Sequence, residues 1–136
     1  MSSRIHTTRI LWLSAVIGVV LVALGAALGA PARYLTDRLI QARHDSLFPW
    51  GTLTVNVAGS FLLGLLAGLS VSEPVMAAVG AGFCGALTTY STFGYETVRL
   101  AQEQARFYAA VNATASVLAG LGAAYCGLAL AQALTA

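Results

Sequence analysis

The chain has 136 residues, of which 58% are hydrophobic and only 9% charged, whereas an ordinary soluble domain carries about a quarter charged residues. A water-soluble fold does not fit that balance, and a net charge of +2 spread over scattered arginines is too small for a nucleic-acid binder. Lysine is absent, and charge-free runs cover residues 10–32, 46–72, 74–95 and 107–136. Since crossing a bilayer takes about 20 apolar residues, the sequence predicts one all-α integral membrane domain with four transmembrane helices. Their expected bounds are approximately 10–32, 49–71, 74–95 and 107–132, which leaves no room for a separate catalytic domain.

Arg4 and Arg9 precede the first apolar run, and Ala27 and Gly29 offer small residues near a conceivable cut, as in a secretory signal peptide. The run is nevertheless about twice the length of a signal core and passes straight into Arg33 and Tyr34, so a retained first helix is predicted. Arg33 ends the first span within the segment GAPARY and reads in two ways. It is either an interfacial anchor or a charge at the mouth of a narrow path that concentrates anions. His6 and His44 have no partner at metal-ligand spacing and read as solvated surface residues.

In the second run, Thr52, Asn56 and Ser60 recur every four residues and share one helical face. Ser60, Gly64 and Gly68 continue the row as a small-residue packing surface. Asn56 carries both donors and an acceptor, and packing against a neighbour and lining a pore account for it equally well.

Little more than Ser72, Glu73 and Pro74 joins the second and third predicted spans, which predicts a tight antiparallel hairpin with Pro74 in the first turn of the third helix. The third run contains GFCGALTTYSTFGY, with Gly82, Gly85 and Gly94 around five consecutive hydroxyl side chains, Thr88 to Thr92. Glycines free the backbone and hydroxyls compete for its carbonyls, so a break in the helix is expected there. Carbonyls exposed at such a break suit a cation; a kinked packing helix is the second reading. The following ETVRLAQEQAR, residues 96–106, reads as a helical extension into water or along the interface.

The fourth run places Asn112, Ser116 and Gly120 on one face, a third polar wall. Cys84 and Cys126 sit inside apolar runs and read as small buried hydrophobes. Four spans put Arg4 and Arg9 on one side and Arg33, Arg38, Arg43, Arg99 and Arg106 on the other, a modest bias that leaves both orientations open. No carboxylate or lysine falls within a predicted span, which removes the usual groups of proton-coupled transport and of acid/base catalysis. A passive conductor, not an enzyme, is the simplest reading. Four helices hardly enclose a pore alone, and the smallest assembly that does is a homodimer.

The segments GAALGAPARY, GTLTVNVAGSFLLG and GFCGALTTYSTFGYE closely resemble, in order, the signature regions of the CrcB/Fluc family of fluoride channels. The resemblance implies a dual-topology homodimer of antiparallel subunits in the cell (inner) membrane, with two fluoride pores and a structural sodium ion that is not transported. It implies that fluoride leaves the cell passively, down its electrochemical gradient. Carried over to this chain, the fluoride pore comprises Asn56, Tyr90, Thr92, Phe93, Asn112 and Ser116, the vestibule arginine is Arg33, and the sodium ligands are the main-chain carbonyls of Gly85 and Thr88. Two positions depart from the family pattern: Tyr90 stands where phenylalanine is usual, and Asn112 where some members carry tyrosine.

The chemistry is coherent on its own terms. Fluoride holds its water strongly, and amide and hydroxyl donors together with the electropositive edges of aromatic rings can replace that water. Two rivals belong to other classes. A four-span multidrug transporter needs a membrane-embedded glutamate, which no predicted span supplies, and a non-conducting assembly subunit would use the polar faces for packing alone.

Overall fold

The computed structural model describes the backbone from residue 2 to residue 136 and the side chains of Arg9 and of Leu11 onward. The side chains of Arg4 and His6 lie outside the described residues. The described chain is helical throughout. Helix α1 spans Ser2–Gln41 and α2 spans Trp50–Gly68. Helix α3 covers residues 73–87, α4 spans Tyr90–Gln102 and α5 spans Arg106–Thr135. Among the described residues three helices are long and apolar enough to cross a membrane, Leu11–Gln41, Trp50–Gly68 and Arg106–Thr135. The segment holding the third apolar run is split between α3 and α4.

The boundaries follow local chemistry. Helix α1 does not end near residue 32 as the hydropathy predicts, but carries Pro31 within it and runs on to Gln41. At about 1.5 Å per residue, its last nine residues add over two turns, on which Arg33, Asp37 and Arg38 sit. The Asp37 carboxylate lies against the backbone of Gly51, in the space a Cβ would fill, and accepts from Gln41 Nε2 at 2.8 Å. Glycine at the start of α2 therefore permits the end of α1 to close over it. After α2, Ser70 turns left-handed (φ 48°), Ser72 is extended, and Pro74 occupies the first turn of α3 as its missing N–H allows. Helix α4 ends in a Schellman turn: Gln104 is left-handed (φ 62°), its N–H donates to Ala101 O at 3.3 Å, and Ala105 N donates to Leu100 O at 2.9 Å. The expected extension therefore stops at Gln102, and Arg106 opens the next helix.

Packing pairs the helices differently from their order in sequence. Helix α2 packs mainly along α5, and α1 mainly along α3, whereas α2 and α3 touch sparingly although a short loop joins them. Both main pairings are close backbone approaches at small residues, the membrane packing mode in which van der Waals contact replaces the hydrophobic effect. A Cβ on Gly64 would meet the Ala124 carbonyl of α5, and one on Gly82 would lie 2.6 Å from the Val22 carbonyl of α1. The α1 contact involves a π-helical stretch, Met76–Cys84, inside α3. Outward-facing side chains are apolar, among them Trp12, Val19, Leu28, Leu118, Leu121 and Tyr125, the inverse of a soluble surface and the pattern lipid requires. Cys84 is buried, but Cys126 belongs to this exposed surface and is not the buried residue the sequence suggested.

Candidate functional site: a groove at a helix break

The site begins with a backbone event. Thr88 (φ −79°, ψ 157°) and Thr89 (φ −148°, ψ 125°) are extended, which ends α3 and restarts the chain as α4. Thr89 caps the new helix, its Oγ1 accepting from Thr92 N at 3.2 Å. The extended residues leave backbone groups that a helix would have satisfied, and Asn56 of α2 takes two of them. Its Nδ2 donates to Thr89 O at 3.0 Å and its Oδ1 accepts from Thr89 N at 2.7 Å. The carboxamide thus makes the pair of bonds a neighbouring strand would make. Thr89 N is the amide that would otherwise close the helical turn onto Gly85 O, so its diversion leaves the Gly85 carbonyl without that donor. Thr88 Oγ1 donates back to Cys84 O at 2.9 Å, an oxygen that the Thr88 N–H also reaches at 2.9 Å.

Beside the break lies a groove of about 640 Å³ between α2, α3, α4 and α5. Of the predicted residues it gathers Asn56, Gly85, Thr88, Tyr90, Phe93 and Ser116, together with Ser60. Thr92, Asn112 and Arg33 do not line it. Thr92 stands one turn into α4, where it accepts from Thr89 Oγ1 at 3.0 Å, so its own proton is unassigned among the described residues. The hydroxyls of Ser60 and Tyr90 likewise make no hydrogen bond among the described residues. The rings of Tyr90 and Phe93 are tilted neighbours, with centroids 5.9 Å apart and planes at 48°. Tyr90 is 85% exposed and projects away from its own chain. Arg33 is half-buried on α1, one turn before Asp37, and is not brought to the groove.

Two polar links hold α4 beyond the groove. Thr52 Oγ1 donates to Glu96 Oε1 at 2.9 Å, and Asn112 Nδ2 donates to Thr97 Oγ1 at 2.8 Å. Glu96, which opens the extension assigned by sequence to water or to the interface, is half-buried, and its Oε2 is buried without a partner. It falls just outside the third apolar run. Burial lifts its carboxyl above the ordinary glutamate range, the Thr52 hydrogen bond opposes this, Asp37 adds to it and Arg99 opposes it. A polar cleft of about 220 Å³ between the α1–α2 loop and α4, lined by residues including His44, Asp45, Glu96 and Arg99, lies at this end.

Sequence reasoning missed Thr97 altogether. Spacing held the clue, since Thr97 follows Phe93 by four residues and so shares its helical face. The row Thr52, Asn56, Ser60 is coherent in the structure: its members meet Glu96, Thr89 and the groove in turn.

Comparison with known proteins places the chain. Residues 20–128 match the family model described as CrcB-like protein, Camphor Resistance (CrcB). A Frankia casuarinae protein named fluoride-specific ion channel FluC 1 is 58% identical over 123 residues, covering 84% of this chain and 95% of its own. A Streptomyces avermitilis protein of the same name is also 58% identical, over 120 residues, with 85% and 97% coverage. A Nocardia farcinica protein of that name is 52% identical over 119 residues, with 88% and 84% coverage. The chain belongs to the CrcB family.

Proposed function

We propose that this protein is a fluoride-specific ion channel that lets fluoride leave the cell passively, down its electrochemical gradient. The observation that carries the reading is the groove at the break, which collects amide and hydroxyl donors and aromatic rings without a fixed charge, in a chain whose relatives bear that name. Donors without a fixed cation bind an anion moderately, and moderate binding is what throughput requires. No reaction is catalysed. The third apolar segment, with its break, completes a count of four spans in the cell (inner) membrane.

The working unit in this reading is a homodimer. The groove is open along one side and Tyr90 stands clear of its own chain, so a second subunit supplies the missing wall. The small difference in arginine number between the two sides fits insertion in both orientations and an antiparallel pair. Gly85 and Thr88 suit a sodium ion: the Gly85 carbonyl has lost its helical donor, and a Cβ on Gly85 would meet nothing within 4 Å, so that face is open. Carbonyls freed by a broken membrane helix are the donor set sodium prefers. Two carbonyls are only part of a shell, and the symmetry-related pair of the partner subunit completes it. Bound there, sodium would add positive charge near the anion path.

Three results test this reading. A bacterium that has lost its own fluoride exporter should grow in fluoride when it expresses this chain; continued sensitivity with the protein present in the membrane counts against the function. Channels purified and assayed without sodium should lose most fluoride flux and regain it when sodium is restored, while sodium itself does not cross. Normal flux in sodium-free channels, or sodium flux accompanying fluoride, defeats the site at Gly85 and Thr88. Arg33→Gln should lower flux most at low ionic strength, where screening is least, and leave the fluoride over chloride preference unchanged. Unaltered flux there returns Arg33 to the role of interfacial anchor.

A further inference from the structure

Asn112 does not occupy the groove, although the sequence places it in the pore. It is buried to 1% exposure, the most enclosed polar side chain among the described residues, and it sits in the middle of a directed chain of hydrogen bonds. Ser116 Oγ donates to Asn112 Oδ1 at 3.4 Å, Asn112 Nδ2 donates to Thr97 Oγ1 at 2.8 Å, and Thr97 Oγ1 donates to Phe93 O at 2.8 Å. The direction is forced from the far end. A carbonyl only accepts and Thr97 has one proton, so Asn112 must turn its amide nitrogen to Thr97 and its oxygen to Ser116. The chain thus joins a groove-lining hydroxyl on α5 to the turn of α4 that carries the Phe93 ring.

We infer that Asn112 is a positioning residue of the fluoride path, buried behind it, which fixes the Phe93 turn and aims the Ser116 proton away from the groove until an anion arrives. The inference rests on the channel reading above. The two bonds on the Thr97 side are short and hold the α4 turn in place. The Ser116 bond is long and weak, so its hydroxyl rotor can swing to an ion in the groove at little cost. A serine without this acceptor would have no preferred rest position, and an α4 turn without Thr97's partner would lose its tether to α5.

Unitary fluoride current in planar bilayers tests the role, because misfolding lowers the number of channels whereas mispositioning lowers the current through each. Asn112→Leu keeps the branched shape, with bulkier methyl ends, and removes both bonds, and Thr97→Val removes the hydroxyl. Each removes two bonds of the chain and should lower unitary fluoride current about tenfold or more. Thr97→Ser, which keeps the hydroxyl, should remain within about twofold of wild type. The double variant should conduct no worse than the poorer single variant, since both act on one chain of bonds. Wild-type unitary current in Asn112→Leu and Thr97→Val, or losses that multiply in the double variant, would overturn the inference. So would a reduced channel count at unchanged unitary current. If Asn112→Leu fails to assemble, the contrast between Thr97→Val and Thr97→Ser decides alone. Absence of fluoride current in the wild type would instead defeat the channel reading itself.

Discussion

Phe93→Ile is expected to remove most fluoride flux while the protein still elutes from gel filtration at the wild-type volume. Isoleucine roughly preserves apolar bulk, so the packing around the break survives, but it has no electropositive ring edge to offer an anion. Phe93 lines the groove with its ring beside that of Tyr90, and its main-chain oxygen is held by Thr97, so the substitution changes the ring and leaves its support in place. Tyr90→Phe should behave differently. The Tyr90 hydroxyl makes no hydrogen bond among the described residues, and its loss leaves the ring edge intact, so flux should stay within about twofold of wild type. Abolished flux in Tyr90→Phe would make the phenolic hydroxyl an essential ligand. Normal flux in Phe93→Ile would move the fluoride path to the polar faces of α2 and α5.

Asn56→Leu is expected to be more damaging still, because it strikes both the break and the groove. The substitution strands the N–H and the carbonyl of Thr89, a residue only 8% exposed, and each unsatisfied buried group costs about 1–3 kcal/mol. Lost flux should therefore come with a lower thermal midpoint of the purified protein in detergent. Thr88→Ala is the control. It removes one hydroxyl that caps Cys84 O but leaves the Asn56 pair whole, so its thermal midpoint should stay near that of the wild type. Equal midpoints for Asn56→Leu and wild type would show that the carboxamide does not hold the break, and that its contribution is to the ion alone.

The break itself was legible in the sequence, because glycines and consecutive hydroxyls compete with helical bonding wherever they fall. Asn56 was legible as an anomaly: an amide at membrane depth must find partners, and packing and groove-lining proved to be the same arrangement. What stayed hidden depends on through-space fit. The π-helical stretch Met76–Cys84 lies where α3 approaches α1 closely at Gly82, a fit that no local pattern within α3 encodes. The run of α1 to Gln41 depends on Gly51 leaving space for Asp37. Asn112 shares a helical face with Ser116; periodicity made them one polar wall, and the family resemblance put both in the pore. A rotation of α5 too small to read from spacing buries one and leaves the other in the groove. The burial of Glu96 stayed hidden for a related reason, since a charge just past an apolar run suggests water or the interface until the partner Thr52 is in view.

The most direct test is efflux of fluoride from liposomes that contain only this protein, followed with a fluoride electrode. With sodium present and a potassium ionophore to relieve the charge imbalance, fluoride should leave rapidly while chloride stays behind and no proton gradient is needed. Liposomes that hold the assembled protein yet release fluoride no faster than empty ones would contradict the account, and the polar residues at the break would then serve packing alone.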